Sequence, residues 1–237
     1  MHRALALILF CLPVFAFADC QGQLPKWAET LHPNLTFDKR HSVCKASPLD
    51  PSRTLAALVF IESHDGNDNA TYGLEVLSAD RGTIESHAYE SAAISSDAVQ
   101  FDGLDLDTAR YQIAAATRAF GVRVKYLGSS RIYRYWSTEL NLYVYDGQKL
   151  RKVLGGLGVD KVNGEWDGNC EGNSSETTST VTIGKPSNKG YASLEVTDKT
   201  IDYHSVAKGD DCIYKDDKPL MKKRALIYNG RQYNESK

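Results

Sequence analysis

The sequence predicts a mainly β protein: an antiparallel, hairpin-built sandwich or partial propeller-like sheet assembly, with a short N-terminal helix. Three observations carry that expectation. First, Thr138 to Leu154 reads TELNLYVYDGQKLRKVL. Leu140, Leu142 and Val144 share one face, Asn141, Tyr143 and Tyr145 the other, and Asp146-Gly147 separates two alternating runs. Alternation on both sides of an Asp-Gly is the strongest short-range hairpin signal, because these residues tolerate positive φ. Second, roughly ten or more strand-like runs recur at a spacing of about 8–15 residues. Third, helical periodicity is nearly absent outside the N-terminal region.

Taken in order, residues 1–18 read as a cleaved secretory signal peptide. Arg3 gives the positive start, Ala4 to Phe15 the apolar run, and Ala16-Phe17-Ala18 the small-residue cleavage site. The apolar run is too short to span a bilayer, and no later stretch is long enough. Cys20 follows the cut closely, which raises a lipid anchor. Asp19 stands where such processing needs a small residue, so the soluble exported form, periplasmic or secreted, is expected. Residues 19–237 then form a single β-rich domain, with a division into 19–155 and 156–237 as an option. Losing Arg3 leaves 27 basic against 30 acidic side chains, a net charge of −3. That balance argues against a general nucleic-acid or anionic-membrane binder, which needs a concentrated basic field.

Of the five cysteines, Cys11 leaves with the signal, and Cys20, Cys44, Cys170 and Cys212 remain. An even count in an exported chain predicts two disulfides, with three possible connectivities. Sequential pairing, Cys20–Cys44 and Cys170–Cys212, is expected, because each pair lies in polar, loop-like sequence near one end of the chain. Loop-closure entropy gives each about 3–4 kcal/mol. No C-x-x-C spacing or partnering histidine pattern supports a metal site instead.

Leu24 to Leu31 predicts the short helix: Pro25 suits a first turn, Trp27 and Leu31 lie four apart, and His32-Pro33-Asn34 ends it. Tied down by Cys20–Cys44, it would cap or cover a sheet edge. Thr54 to Glu62 is a continuous apolar run suited to a strand buried on both faces. Strands are expected at Tyr72 to Leu77 and Thr83 to Tyr89 around Ala79-Asp80-Arg81-Gly82. Ser91 to Asp97 reads as a boundary between units. Val99 to Leu106, Arg110 to Ala114 and Arg118 to Leu127 follow as strands, and Gly128 to Trp136 as a connecting loop. Beyond Leu154, Gly155-Gly156-Leu157-Gly158 reads as a turn, and Asp167 to Ser175 as a polar loop. Thr177 to Ile183 and Tyr191 to Thr197 read as further strands, Ala207 to Pro219 is charged and irregular, and Leu226 to Tyr233 closes the chain as a variant of the Thr138–Leu154 hairpin.

Gly190-Tyr191-Ala192-Ser193-Leu194-Glu195-Val196 and the later Leu226-Ile227-Tyr228-Asn229-Gly230-Arg231-Gln232-Tyr233 resemble the blade ends of FG-GAP or integrin-propeller-like repeats of exported bacterial proteins. Leu140 to Leu150 shares the pattern more loosely. The resemblance implies β architecture. The calcium loop of such repeats is not matched, since Asp102, Asp105 and Asp107 sit on an expected strand with Gly103 out of place. No metal and no cofactor are therefore expected.

No H-E-x-x-H, G-x-S-x-G or Cys-His nucleophile pattern occurs. Glu62-Ser63-His64-Asp65 has catalytic residue types, but sequence neighbours on an extended chain point in opposite directions. The acidic pairs Asp210-Asp211 and Asp216-Asp217 read as solvated loop. Four Asn-x-Ser/Thr sites, at Asn34, Asn69, Asn173 and Asn234, matter only in a eukaryotic secretory pathway. The candidate binding residues are Arg131, Tyr133, Arg134, Tyr135 and Trp136. They concentrate guanidinium groups and amphipathic rings, the residue types that dominate binding hot spots. The expected function is a non-enzymatic exported binding protein, of inhibitor or immunity type, whose partner is another protein of the cell envelope. The alternatives are an envelope hydrolase or carbohydrate-active enzyme with carboxylates assembled by the fold, and a structural envelope module.

Overall fold

The computed structural model describes residues 20–66, 69–186 and 189–235. The signal peptide expected over residues 1–18 lies outside the described residues. A 3-10 turn at Cys20–Gly22 leads into helix α1 (Leu24–Leu31). A four-strand antiparallel meander follows: β1 (Thr36–Ala46), β2 (Arg53–His64), β3 (Ala70–Asp80) and β4 (Thr83–Ser96). A second run comprises β5 (Val99–Ala114), β6 (Thr117–Gly128), β7 (Tyr133–Asp146), β8 (Lys149–Trp166), β9 (Gly172–Ile183) and β10 (Leu194–Lys208). The chain closes with β11 (Asp211–Asp216), β12 (Leu220–Tyr228) and β13 (Tyr233–Glu235). All thirteen belong to one mixed, unclosed sheet. One parallel contact, His87 beside Lys149, joins the two meanders.

The hairpin turns follow their residue types. At Asp80–Thr83 the two central residues, Arg81 and Gly82, take φ of 46° and 88°, the paired positive φ of a type I′ turn. Between Asp146 and Lys149 only Gly147 is positive, at 65°, which fits a turn with glycine first.

Alternation explains the layers. On β2, Ala56, Leu58 and Phe60 face α1, where they bury Leu24, Trp27 and Ala28 together with Leu77 and Ala79 of β3. Leu55, Ala57 and Val59 face the other way, onto Leu104, Leu106, Val122 and Val124 of β5 and β6. The unbroken apolar run of β2 is thus a strand buried on both faces, as its length suggests. Leu140, Leu142 and Val144 of β7 meet Leu194 and Val196 of β10 and Leu226 of β12 in a third layer. The helix covers a sheet face, not an edge. Trp27 donates its indole N–H to the Gly82 carbonyl at 2.9 Å, fastening α1 to the β3–β4 turn.

Both disulfides form as expected, Cys20–Cys44 with Cα atoms 6.0 Å apart and Cys170–Cys212 at 5.6 Å. Three stretches expected as boundary, turn or loop are strand instead. Ser91 to Ser96 is no boundary; it extends β4 past a kink at Ala92, whose φ is 50°. Gly155 to Gly158 lies inside the long β8, where Gly156 at φ 63° accommodates a register shift. Asp211 to Asp216 is a strand, because its backbone completes a ladder with Tyr203 to Lys208. The polar β1 was not recognisable as a strand; its ladder breaks between Asp38 and Val43. There the Asp38 carboxylate accepts the backbone N–H groups of Arg40 and His41 at 3.0 and 3.2 Å. Among the described residues, no helix is long and apolar enough to cross a membrane.

Candidate functional site

A trough of about 740 Å³ lies on one face of β7 to β11, within the size range of small-ligand sites. Register builds it. Side chains alternate along a strand, so residues paired across strands share a face. One cross-strand row reads Arg134, Gly164, Ser174, Tyr203, Asp216. The next, two residues on, reads Trp166, Gly172, Ser205, Tyr214. Each row has two small residues in the middle and large ones outside. Gly164, Gly172, Ser174 and Ser205 therefore form a low floor, with Arg134 and Trp166 on one side and Tyr203 and Tyr214 on the other.

The floor needs its glycines. A Cβ on Gly164 would lie 2.5 Å from both the Asn173 carbonyl oxygen and the Ser174 Cβ, a contact that would push β9 away from β8.

The two ends are held differently. Near Trp166, the Asp167 carboxylate accepts the N–H groups of Asn169, Cys170 and Glu171 at 2.8, 2.9 and 3.0 Å, which fixes the β8–β9 turn. The Cys170–Cys212 bridge then ties that turn to β11. At the other end, Trp136, Val162 and Glu176 close the trough and also line a second cavity of about 210 Å³. Tyr203 donates to Glu176 Oε2 at 3.4 Å. Desolvation, followed by that carboxylate, raises the tyrosine pKa. The Arg134 guanidinium lies 5.6 Å from the Trp136 ring centre, within cation–π range.

The five residues singled out in the sequence separate on this scaffold. Only Ser129 to Ile132 is loop; Tyr133 to Trp136 begin β7, correcting the loop expected through Trp136. Ser130 Oγ accepts the N–H groups of Ile132 and Tyr133 at 3.2 and 3.0 Å, a serine turn that holds Arg131 at the trough. Arg131, Arg134 and Trp136 line it. Tyr133 and Tyr135 alternate to the opposite face, where Tyr135 donates to Ser137 Oγ at 3.2 Å and lies 5.8 Å from Lys161 Nζ. Trp166, Tyr203, Tyr214, Glu176 and Asp216 were missed by sequence reasoning. They come from four different strands, and pairing register alone brings them to one face. The one local signal was Gly164 and Gly172 flanking the Cys170 turn on neighbouring strands.

The Glu62 to Asp65 segment does not assemble a catalytic group. Glu62 accepts from the Tyr89 hydroxyl at 2.6 Å and the Ala92 N–H at 2.7 Å. Burial opposes its ionisation, but these hydrogen bonds hold its pKa below the usual range. A second titratable cluster lies under α1. Glu75 is 0% exposed, with His32 Nε2 at 2.7 Å and His87 Nδ1 at 3.2 Å. Burial pushes the Glu75 carboxyl up to about 7, against the pull of His87, and burial lowers His32. The contact has ion-pair geometry, yet both shifts favour a neutral Glu75 donating to a neutral His32. The cluster clamps the end of α1 to β3 and β4. No group of three His, Cys, Asp or Glu side chains among the described residues is placed to hold a metal ion.

Three comparisons bear on kinship: with family models, with curated proteins and with solved structures, the chain gives no match.

Proposed function

We propose that the protein is an exported, non-enzymatic binding protein whose ligand site is the trough across β7 to β11. The observation that carries this reading is the pair of cross-strand rows, which combine a small-residue floor with Arg134, Trp166, Tyr203 and Tyr214 as walls. Trp136, Trp166 and Tyr214 are 37%, 40% and 77% exposed. Large amphipathic rings left open to solvent around a concavity are what a binding site offers before its ligand arrives. The two disulfides suit an oxidising compartment, and export accounts for the apolar, Arg-started sequence of residues 1–18.

One observation favours a second reading, a carbohydrate-active hydrolase. The trough face holds two carboxylates, Glu176 and Asp216. Both are exposed, whereas a general acid working near neutral pH needs a desolvated carboxyl. Binding without catalysis is therefore the better account.

Sedimentation with insoluble cell-envelope material separates these readings. Wild-type protein should co-sediment, and Trp166→Ala combined with Arg134→Ala should weaken retention at least about tenfold. Equal retention of wild type and variant would remove the trough as the site. Release of soluble sugar by wild type but not by Glu176→Gln would favour the hydrolase.

A further inference from the structure

Resting on the trough as ligand site, we infer that its ligand class is an uncharged oligosaccharide of a few sugar units. Four features of the surface converge on this chemistry.

The first is charge. Arg131 and Arg134 are set against Glu176 and Asp216. A site for a polyanion concentrates cations, and one for a cationic peptide concentrates carboxylates. Here both signs are interspersed, and no long-range field selects a charged ligand.

The second is hydrogen-bonding type. A sugar hydroxyl both donates and accepts, so its site needs both capacities close together. The trough offers guanidinium donors, carboxylate acceptors and the hydroxyls of Ser174, Ser205 and Tyr203.

The third is how the floor is made. Between β8, β9 and β10 the backbone is already paired strand to strand, so the floor keeps its backbone hydrogen-bonding groups within the ladder. An extended peptide gains its affinity chiefly from main-chain hydrogen bonds at an open sheet edge, which this floor does not present. A pyranose needs none. Its C–H face carries slight positive charge and lies against the negative face of an aromatic ring, while its hydroxyls point sideways to polar groups.

The fourth is length. From the row of Trp166 to that of Trp136 the trough runs four residues along its strands, about 13 Å at ordinary strand rise. It continues past Trp136 into the second cavity of about 210 Å³. Aromatic side chains recur along this path at Tyr214, Trp166, Tyr203 and Trp136. A linear chain of rings matches a linear series of platforms, and a single small molecule would leave most of them unused.

The test is titration of the full-length mature protein with defined probes, read by intrinsic tryptophan fluorescence and calorimetry. The neutral probes are cello-, laminari-, malto- and chito-oligosaccharides; the charged probe is polygalacturonate; the peptide probe is a pool of random unstructured peptides. At least one neutral oligosaccharide should bind with a Kd below about 1 mM. Its affinity should change less than about twofold between low and high salt, since an uncharged ligand is not screened. Trp166→Ala and Tyr214→Ala should each weaken it at least about tenfold. Tyr214, at 77% exposed, is removable without disturbing the core should the Trp166 variant fold poorly.

No neutral oligosaccharide binding up to about 10 mM would overturn the inference. So would binding confined to polygalacturonate with steep salt dependence. Binding confined to peptides, abolished by the two variants, would overturn the sugar assignment and leave the trough as a protein-binding site. Oligosaccharide binding indifferent to both variants would overturn the trough itself.

Discussion

The α1–β4 end and the β8–β11 end use the same element, a long antiparallel strand, to opposite effect. In β2 both faces are covered, one by α1 and one by β5 and β6, and every residue from Leu55 to Phe60 is buried. In the C-terminal halves of β8 and β10, alternate residues face the open trough, and their side chains are small, aromatic or charged. Coverage decides the difference. A strand with two covers must be apolar throughout, while one with a single cover keeps half its positions free for a ligand. Stability should therefore concentrate at the first end and recognition at the second.

The largest test of that division is the disulfide pair. Replacing Cys170 and Cys212 with Ser opens a loop of 42 residues, and replacing Cys20 and Cys44 opens one of 24. Loop entropy predicts losses of about 4 and about 3.5 kcal/mol respectively in guanidinium unfolding. Only the first should also weaken retention on envelope material, because Cys170–Cys212 anchors the end of the trough. Equal effects on retention would erase the distinction.

Single truncations come next. Leu58→Ala, in a side chain 0% exposed, should cost about 3 kcal/mol. Trp166→Ala should cost less than about 1 kcal/mol while removing binding. A large stability loss at Trp166 would show that it belongs to the core.

The effect with the narrowest reach, confined to one carboxyl, comes from the clamp under α1. The carboxyl of Glu75 rises from 4.5 to about 7 on folding. A raised pKa means that its stabilising contribution is complete below about 4.5 and is lost as pH climbs through about 7. His32, lowered by burial from 6.5, works in the opposite sense: its contribution is present above 6.5 and fades as pH falls. Glu75→Gln retains the neutral shape and isolates the carboxyl. Relative to this variant, wild type should lose about 3 kcal/mol between pH 4.5 and pH 8. Thermal melts of both proteins across that range check it, and parallel curves would show that folding does not raise the Glu75 carboxyl. Ligand retention should not follow this titration, since the clamp lies at the covered end.

Much of the fold was legible because its determinants are local. The alternation of Thr138–Leu154, the Asp-Gly and Arg-Gly turns, the apolar run of β2 and the Pro25-started helix each depend on a few neighbouring residues. Legibility failed where local chemistry and pairing disagree. Gly155 to Gly158 has the composition of a turn, yet its backbone continues β8 because β7 lies alongside it. Asp211 to Asp216 has the composition of a loop, yet β10 supplies a template.

The sequence by itself determined the β class, the hairpin turns, an even set of four cysteines suited to disulfides and the concentration of arginine and aromatic residues at 131–136. These follow from backbone preference, side-chain period and compartment chemistry, none of which needs a distant partner. Tertiary structure alone decided what that concentration became. The period of two sent Tyr133 and Tyr135 away from Arg134 and Trp136, and ladder register brought Trp166, Tyr203 and Tyr214 to the side that remained. Register is set by burial in the layers beneath, so a site assembled across five strands is written in their pairing and not in any one of them.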